Sequence, residues 1–444
     1  MAPPDAFVII RNMFHRFSRV IEITLAYIIF AALFTYSNPP LTDRIEKVRA
    51  YTRKIEFNYI AWTMDAALIK LRAMSIGGPY ILDRGTQKQI VAEYLQTTRL
   101  ILEQEQALER IYADAAITDK VSASADLRAD LNKSIARQQE LAPFAEAVLQ
   151  DQVSEVLADQ GLTSLGQPLP GVLYHSTSLP FALIVSPRER IDQIANISVD
   201  TDLTVNEQAA LEERVDKGLK MSSLVVPIGG VGVYPTMIMR STDLPWLLDT
   251  ISHEWIHNYL TLRPLGLLYL ETPELRTMNE TTASIAGDEI GALVLERYYP
   301  ELASASRLTP STTVRTNLDL ISAPFDHPGP GDFLRQPFDF RAEMHETRIH
   351  VDALLAEGKV DEAEAYMEAR RQVFLENGYL LRKINQAYFA FYGAYADVPG
   401  GAAGEDPVGP AVRTLRAQSK SLADFVKTIA WMSSFDELKE AVNQ

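Results

Sequence analysis

"TDLPWLLDTISHEWIHNYLTLRPLG", residues 242–266, decides how the rest of the chain is read. Asp243 followed by Pro245 opens a helix, because proline is tolerated in the first turn. Arg263, Pro264 and Gly266 close it. Trp246, Leu247, Ile251 and Ile256 give the helix its apolar faces. Inside it stand His253, Glu254 and His257, spaced H-E-x-x-H. Residues four apart differ by about 40° around a helix and one turn along it, so both imidazoles can hold one ion. Glu254 is displaced by about 100°, which suits a carboxylate beside the metal rather than on it. Two zinc ligands and a general base for the attacking water need this geometry. With seven histidines and 58 acids in 444 residues, the pattern arises by chance about 0.01 times per chain, so it is suggestive alone and needs a third ligand.

The metzincin extension of the motif requires Gly and His where Leu260 and Arg263 stand. The alternative is a glutamate on the next helix. "TMNETTASIAGDEIGALVLERYYP", residues 277–300, supplies Glu280. Thr277 or Asn279 is the expected cap, which places Glu280 in the first turn, and Pro300 ends the helix. Ala283, Ser284, Gly287 and Gly291 share its face, and so small a face lets two helices approach closely. Asp288 and Glu289 are rivals two turns deeper. The plain alternative for Glu280 is an exposed acid favoured by a helix N-terminus.

"HEWIH" followed by "NETTA" resembles the gluzincin branch of zinc metallopeptidases, which includes thermolysin and the HExxH aminopeptidases. The resemblance covers roughly Ser222 to Tyr299. It implies a zincin-like core, with a small mixed sheet in front of two ligand-bearing helices. It also implies Zn2+ on His253, His257 and Glu280, with Glu254 as base and proton shuttle for peptide hydrolysis. "PIGGVGVYPTM" falls where the family keeps an edge strand that pairs with substrate backbone. Ser284 stands where the family has an Asp, so Asp249 and Asp288 become candidates to orient an imidazole. His345 or Arg348 of "HETRIH", or a tyrosine among Tyr388, Tyr392 and Tyr395, are candidates to donate to the oxyanion. His345 and His350 are five apart, about 140° around a helix, and do not share an ion. An aromatic cluster such as 388–395 also reads as ordinary core.

Outward from this core the sequence is mainly helical. "QIVAEYLQTTRLILEQEQALERIY" has helical periodicity, and the pattern continues to Gly161. "PFALIVSP" reads as a buried strand, "LTVNEQAALEERVDKGLK" as a helix with a Thr204/Glu207 capping box, and "SSLVVPIGGVGVYPTMIM" as broken β structure. "SAPFDHPGPGDFLRQPFDF" is a loop. Helices return from about Arg341, and "LLAEGKVDEAEAYMEARR" reads as an ordinary helix pair rather than a repeat array. The expected class is α+β, mostly α-helical, in four parts: 1–40 leader and anchor, 41–161 helical domain, 162–300 catalytic core, and 301–444 helical C-terminal lobe.

Composition narrows the function. The formal charge of -16 leaves no basic footprint for nucleic acid. The chain has no cysteine, which excludes disulfides, thiolate metal sites and cysteine nucleophiles. From Val20 to Tyr36 only Glu22 is charged. Seventeen helical residues span roughly 25 Å against a bilayer core of about 30 Å. The expected role is a single-pass membrane anchor with the catalytic part extracytoplasmic. A cleaved signal peptide and a buried helix are the alternatives. The functional expectation is a membrane-anchored zinc metallopeptidase acting on peptides or proteins, with protein partners accessible to the helical N-terminal domain. The rival is a catalytically inactive scaffold that retains the fold, and a zinc hydrolase for other substrates has the same spacing.

Overall fold

Among the described residues, six short strands and a larger set of helices give an α+β protein. The computed structural model describes residues 44–75, 82–113, 117, 119–164, 166–303 and 338–443. Tyr51–Gln444 form one compact unit and Met1–Ala50 another. The expected membrane segment Val20–Tyr36 and the loop at 322–340, apart from its last three residues, lie outside the described residues. Among the described residues no helix is long and apolar enough to cross a membrane.

The first described element is helix α1 (Arg44–Thr52). Helices α2 (Tyr59–Ser75), α3 (Arg84–Ala113), the single turn α4 (Lys120–Ala123) and α5 (Ala125–Asp159) follow, as periodicity predicts. Gly161, at φ 77°, lets the chain leave α5 in the left-handed conformation glycine favours. Strands β1 (Tyr174–Thr177), β2 (Phe181–Pro187) and β3 (Ala195–Val199) come next. Helix α6 (Val205–Leu219) carries the expected capping box: Glu207 N–H donates to Thr204 Oγ1, and Thr204 N–H donates to Glu207 Oε2 at 2.9 Å. Strands β4 (Met221–Val226), β5 (Gly230–Val231) and β6 (Thr236–Met239) lead into α7 (Leu244–Leu260), α8 (Pro264–Leu267) and α9 (Pro273–Tyr298).

The expected small mixed sheet is two three-stranded sheets. One is antiparallel in the order β3-β2-β4, with Leu183 opposite both Ile197 and Val225. The other is mixed, in the order β1-β6-β5, with β1 parallel and β5 antiparallel to β6. β1 ("YHST") buries only Tyr174 and escapes the hydrophobic pattern, whereas β3 ("ANISV") alternates, with Ala195, Ile197 and Val199 buried, over only five residues.

The C-terminal helices are α10 (Phe340–Ala356), α11 (Val360–Glu376), α12 (Gln386–Tyr392), α13 (Val408–Gln418), α14 (Leu422–Ile429) and α15 (Phe435–Val442). α10 and α11 are a simple hairpin turned at Gly358, φ 75°. Two apolar clusters hold the unit together. One joins α5, α7, α9 and α13–α15 around Trp255, Leu149 and Phe425. The other packs α10–α12 on β2 and β4 around Phe374 and Phe389. Glu212 on α6 ties the second cluster down: it accepts from Val225 N–H at 2.7 Å and from both Arg382 nitrogens at 2.6 and 2.9 Å.

Candidate metal centre

Helix α7 forms where the sequence places it. Asp243 caps it by accepting Trp246 N–H, Pro245 lies in the first turn, and Trp255, Ile251 and Leu247 bury one face in the larger core. That burial aims His253, Glu254 and His257 away from the core centre and toward a cleft of about 650 Å³, within the range of small-molecule sites.

Helix α9 starts earlier than expected. Thr272 is the cap, accepting Leu275 N–H at 3.2 Å, and Pro273 occupies the first turn. Thr-Pro-Glu is a stronger start than Thr277 or Asn279, because proline already has helical φ and Glu274 faces the N-terminal dipole. Glu280 is therefore two turns inside the helix and only 5% exposed, not an acid at an exposed terminus. The small-residue face lies against α7 as expected. A Cβ on Gly287 would be 2.9 Å from His253 Cβ, and one on Gly291 2.9 Å from the Asp249 backbone nitrogen. Glycine at these positions lets the helices approach far enough for a glutamate to reach the two imidazoles.

The three expected ligands converge. His253 Nε2 and His257 Nε2 are 3.0 Å apart, and Glu280 Oε2 lies 3.7 and 3.4 Å from them. A tetrahedral ion about 2.0–2.1 Å from each ligand would set its ligand atoms about 3.3 Å apart. Glu280 Oε2 is buried with no hydrogen-bond donor, while Tyr269 O–H donates to its Oε1. One lone-pair-bearing oxygen is thus left facing two imidazole nitrogens. Burial lowers the His257 pKa, but Glu280 outweighs it and raises the group to about 9. The same ion pair holds the Glu280 carboxyl well below the usual range despite its burial. The group demands a positive charge, which a proton or a metal cation can supply. Among the described residues this is the one cluster of three or more such groups able to hold a metal ion.

Sequence reasoning missed the partners of these ligands. Asn279 Oδ1 is 2.8 Å from His257 Nδ1, and Asn279 Nδ2 donates to Leu265 O at 3.2 Å. The second bond fixes the amide, so Oδ1 faces the ring, Nδ1 carries hydrogen, and Nε2 points at Glu280. Neither Asp249 nor Asp288 makes a hydrogen bond to an imidazole among the described residues, which corrects that expectation. Both line the cleft, as does Ser284, whereas Glu289 turns away to pair with Arg416. Asn279 precedes Glu280 directly, so the dipeptide held a signal. Tyr269 lies in a loop and gave none.

Glu254 is 6% exposed, and burial raises its pKa while the two histidines oppose the rise. It lies under the strand β5. A Cβ on Gly230 would meet Glu254 Cγ and Cδ at 2.8 Å, and one on Gly232 would be 3.3 Å from His257 Cβ. The glycines read from the sequence as strand breakers thus let the backbone pass directly over the motif. β5 is the outer strand of its sheet, with its second edge unpaired among the described residues.

The C-terminal lobe supplies the opposite wall. Arg276 on α9 donates to Ala390 O at 2.5 Å and to Phe391 O at 3.1 Å, which locks the end of α12 over the cleft. Tyr395 stacks on His253 with ring centroids 6.5 Å apart, and Tyr392 also lines the cleft. Tyr388 belongs to the apolar core. His345 and Arg348 do not line the cleft. α10 turns Met344 and Val351 into the smaller core, so Arg348 pairs with Asp352 and Ala402 O instead. His350 packs on Tyr366.

The chain matches no protein-family model, no curated protein and no solved structure.

Proposed function

We propose that the chain is a gluzincin-like zinc metallopeptidase. The observation that carries the reading is the convergence of His253, His257 and Glu280 on one point, with Glu254 beside them under an open strand edge. A zinc ion held by those three residues would supply Lewis acidity toward a scissile carbonyl and acidify a water. The residues around it have distinct tasks. The free edge of β5 pairs with substrate backbone and lays the peptide across the motif. Glu254 takes a proton from the attacking water and returns it to the leaving amine, a role favoured by its burial and raised pKa. The Tyr395 hydroxyl, on the wall facing His253, donates to the developing oxyanion. Digestion of a broad peptide library by the purified protein, with and without a chelator, tests this. Chelator-sensitive cleavage is expected, and cleavage that persists in the metal-free protein would sink the assignment.

The apolar run Val20–Tyr36 supports a membrane anchor, with the unit Tyr51–Gln444 outside the cytoplasm. Protease added to intact cells should then degrade the C-terminal lobe. Full protection of that lobe until the cells are lysed would reverse the orientation.

A further inference from the structure

Beyond the metal ligands, the cleft holds a second group of carboxylates. Asp249 lies one turn before His253 on α7, Asp288 follows Gly287 on α9, and Asp397 comes from the loop after α12. All three line the cleft, and among the described residues no lysine or arginine lines it. Asp397 is 8% exposed, and its Oδ1 is buried without a hydrogen-bond partner. Asp249 and Asp288 likewise make no hydrogen bond or ion pair among the described residues. Arg341 and Arg413 act on Asp397 through their charges and favour its ionised form. They donate to Val398 O and Ala396 O and do not reach the cleft.

Buried carboxyl groups are costly unless paired. Asp397 is buried with an unpaired oxygen, and the half-buried Asp249 and Asp288 line the same cavity, so the group would suit a cationic ligand. A second metal ion is excluded as the occupant by spacing, since the three do not form a cluster tight enough to hold one ion. A larger cation with several donors fits better. A guanidinium presents five N–H groups in a planar fork, and an ammonium presents three. Distance agrees: Asp249 is one helical turn, about 6 Å, along α7 from His253, roughly the reach of an extended arginine or lysine side chain.

We infer that Asp249, Asp288 and Asp397 form a cation-recognition subsite that selects substrates with an arginine or lysine side chain next to the scissile bond. The inference rests on the peptidase reading for its word "scissile", but binding tests it separately. Nα-acetyl-L-argininamide and its neutral isostere Nα-acetyl-L-citrullinamide are titrated calorimetrically into the full chain with zinc present. The arginine compound should bind about ten-fold tighter or more, the effect of charge-assisted hydrogen bonds at a buried site. Asp288→Asn and Asp397→Asn, each verified as folded by circular dichroism, should bring the ratio toward one without changing zinc content. Equal binding of the two compounds to the wild type, which requires no variant to fold, overturns the subsite. A preference that survives in both variants does so too. Cleavage of peptides with no preference for basic residues would remove the subsite and leave the peptidase reading intact. Preferential arginine binding by a protein that cleaves nothing would do the reverse.

Discussion

Glu254→Gln is expected to leave zinc content and melting temperature close to wild type while lowering peptide hydrolysis by about 10²–10⁴-fold, the usual worth of a positioned general base. Gln has the shape of Glu, so it fits beneath Gly230, where the backbone leaves no room for a larger group. Glu254 is not among the three converging ligands and makes no hydrogen bond among the described residues, so the fold does not depend on its charge. Its burial already disfavours the ionised form, and neutralising it removes a cost. What is lost is the ability to accept a proton. Inductively coupled plasma analysis, a thermal melt and the library assay measure the three quantities on one preparation. A Gln variant that cleaves as fast as wild type would eliminate the mechanism. If both proteins bind zinc and neither cleaves any peptide, the scaffold reading becomes the better account.

The second large effect is on the metal itself. Wild type should carry close to one zinc per chain, and His257→Ala should remove most of it. Glu280→Gln should also weaken binding, because an anionic ligand becomes neutral while its Tyr269 hydrogen bond can persist. Asn279→Ala should be milder, costing about 10–100-fold in affinity, since it frees the imidazole without removing a ligand. A chelator should lower the melting temperature. An ion at a thousand times its dissociation constant stabilises the fold by about 4 kcal/mol, a shift of several degrees. The cause is local: without a cation, burial penalises the Glu280 charge, which the imidazoles and the Tyr269 hydroxyl offset. A wild-type protein that folds, shows no zinc after dialysis against the metal, and melts identically with and without chelator would refute the site.

Much of this arrangement was legible in the chain because it is local. Asp243-x-Pro245 and the apolar spacing of Trp246, Leu247 and Ile251 give a helix, and helix geometry alone puts His253 and His257 on one side of it. The capping box at Thr204 and Glu207 and the continuous run Phe181–Pro187 are likewise settled within a few residues. The small face of α9 marked a close helix contact because Gly and Ala have few other reasons to recur at that period.

Other features depend on partners distant in sequence, and no local pattern encodes them. β1 is a strand because β6 pairs with it, since only one of its four residues is buried and no apolar alternation marks it. Asn279 was passed over as a ligand's partner because it read as a cap, and only the earlier start at Pro273 frees it to face His257. His345 and Arg348 carry suitable chemistry, but the packing of α10 on the smaller core turns them elsewhere. Tyr395 and Asp397 reach the cleft through Arg276, which joins α9 to a segment more than a hundred residues later. The chain alone carried the helix, the motif and Glu280 as the leading third candidate, since i,i+4 geometry and helix-packing faces are properties of short stretches. Which groups touch His253, His257 and Glu280, and which acids share their cleft, follows from the folded chain, because burial and charge pairing belong to the assembled molecule.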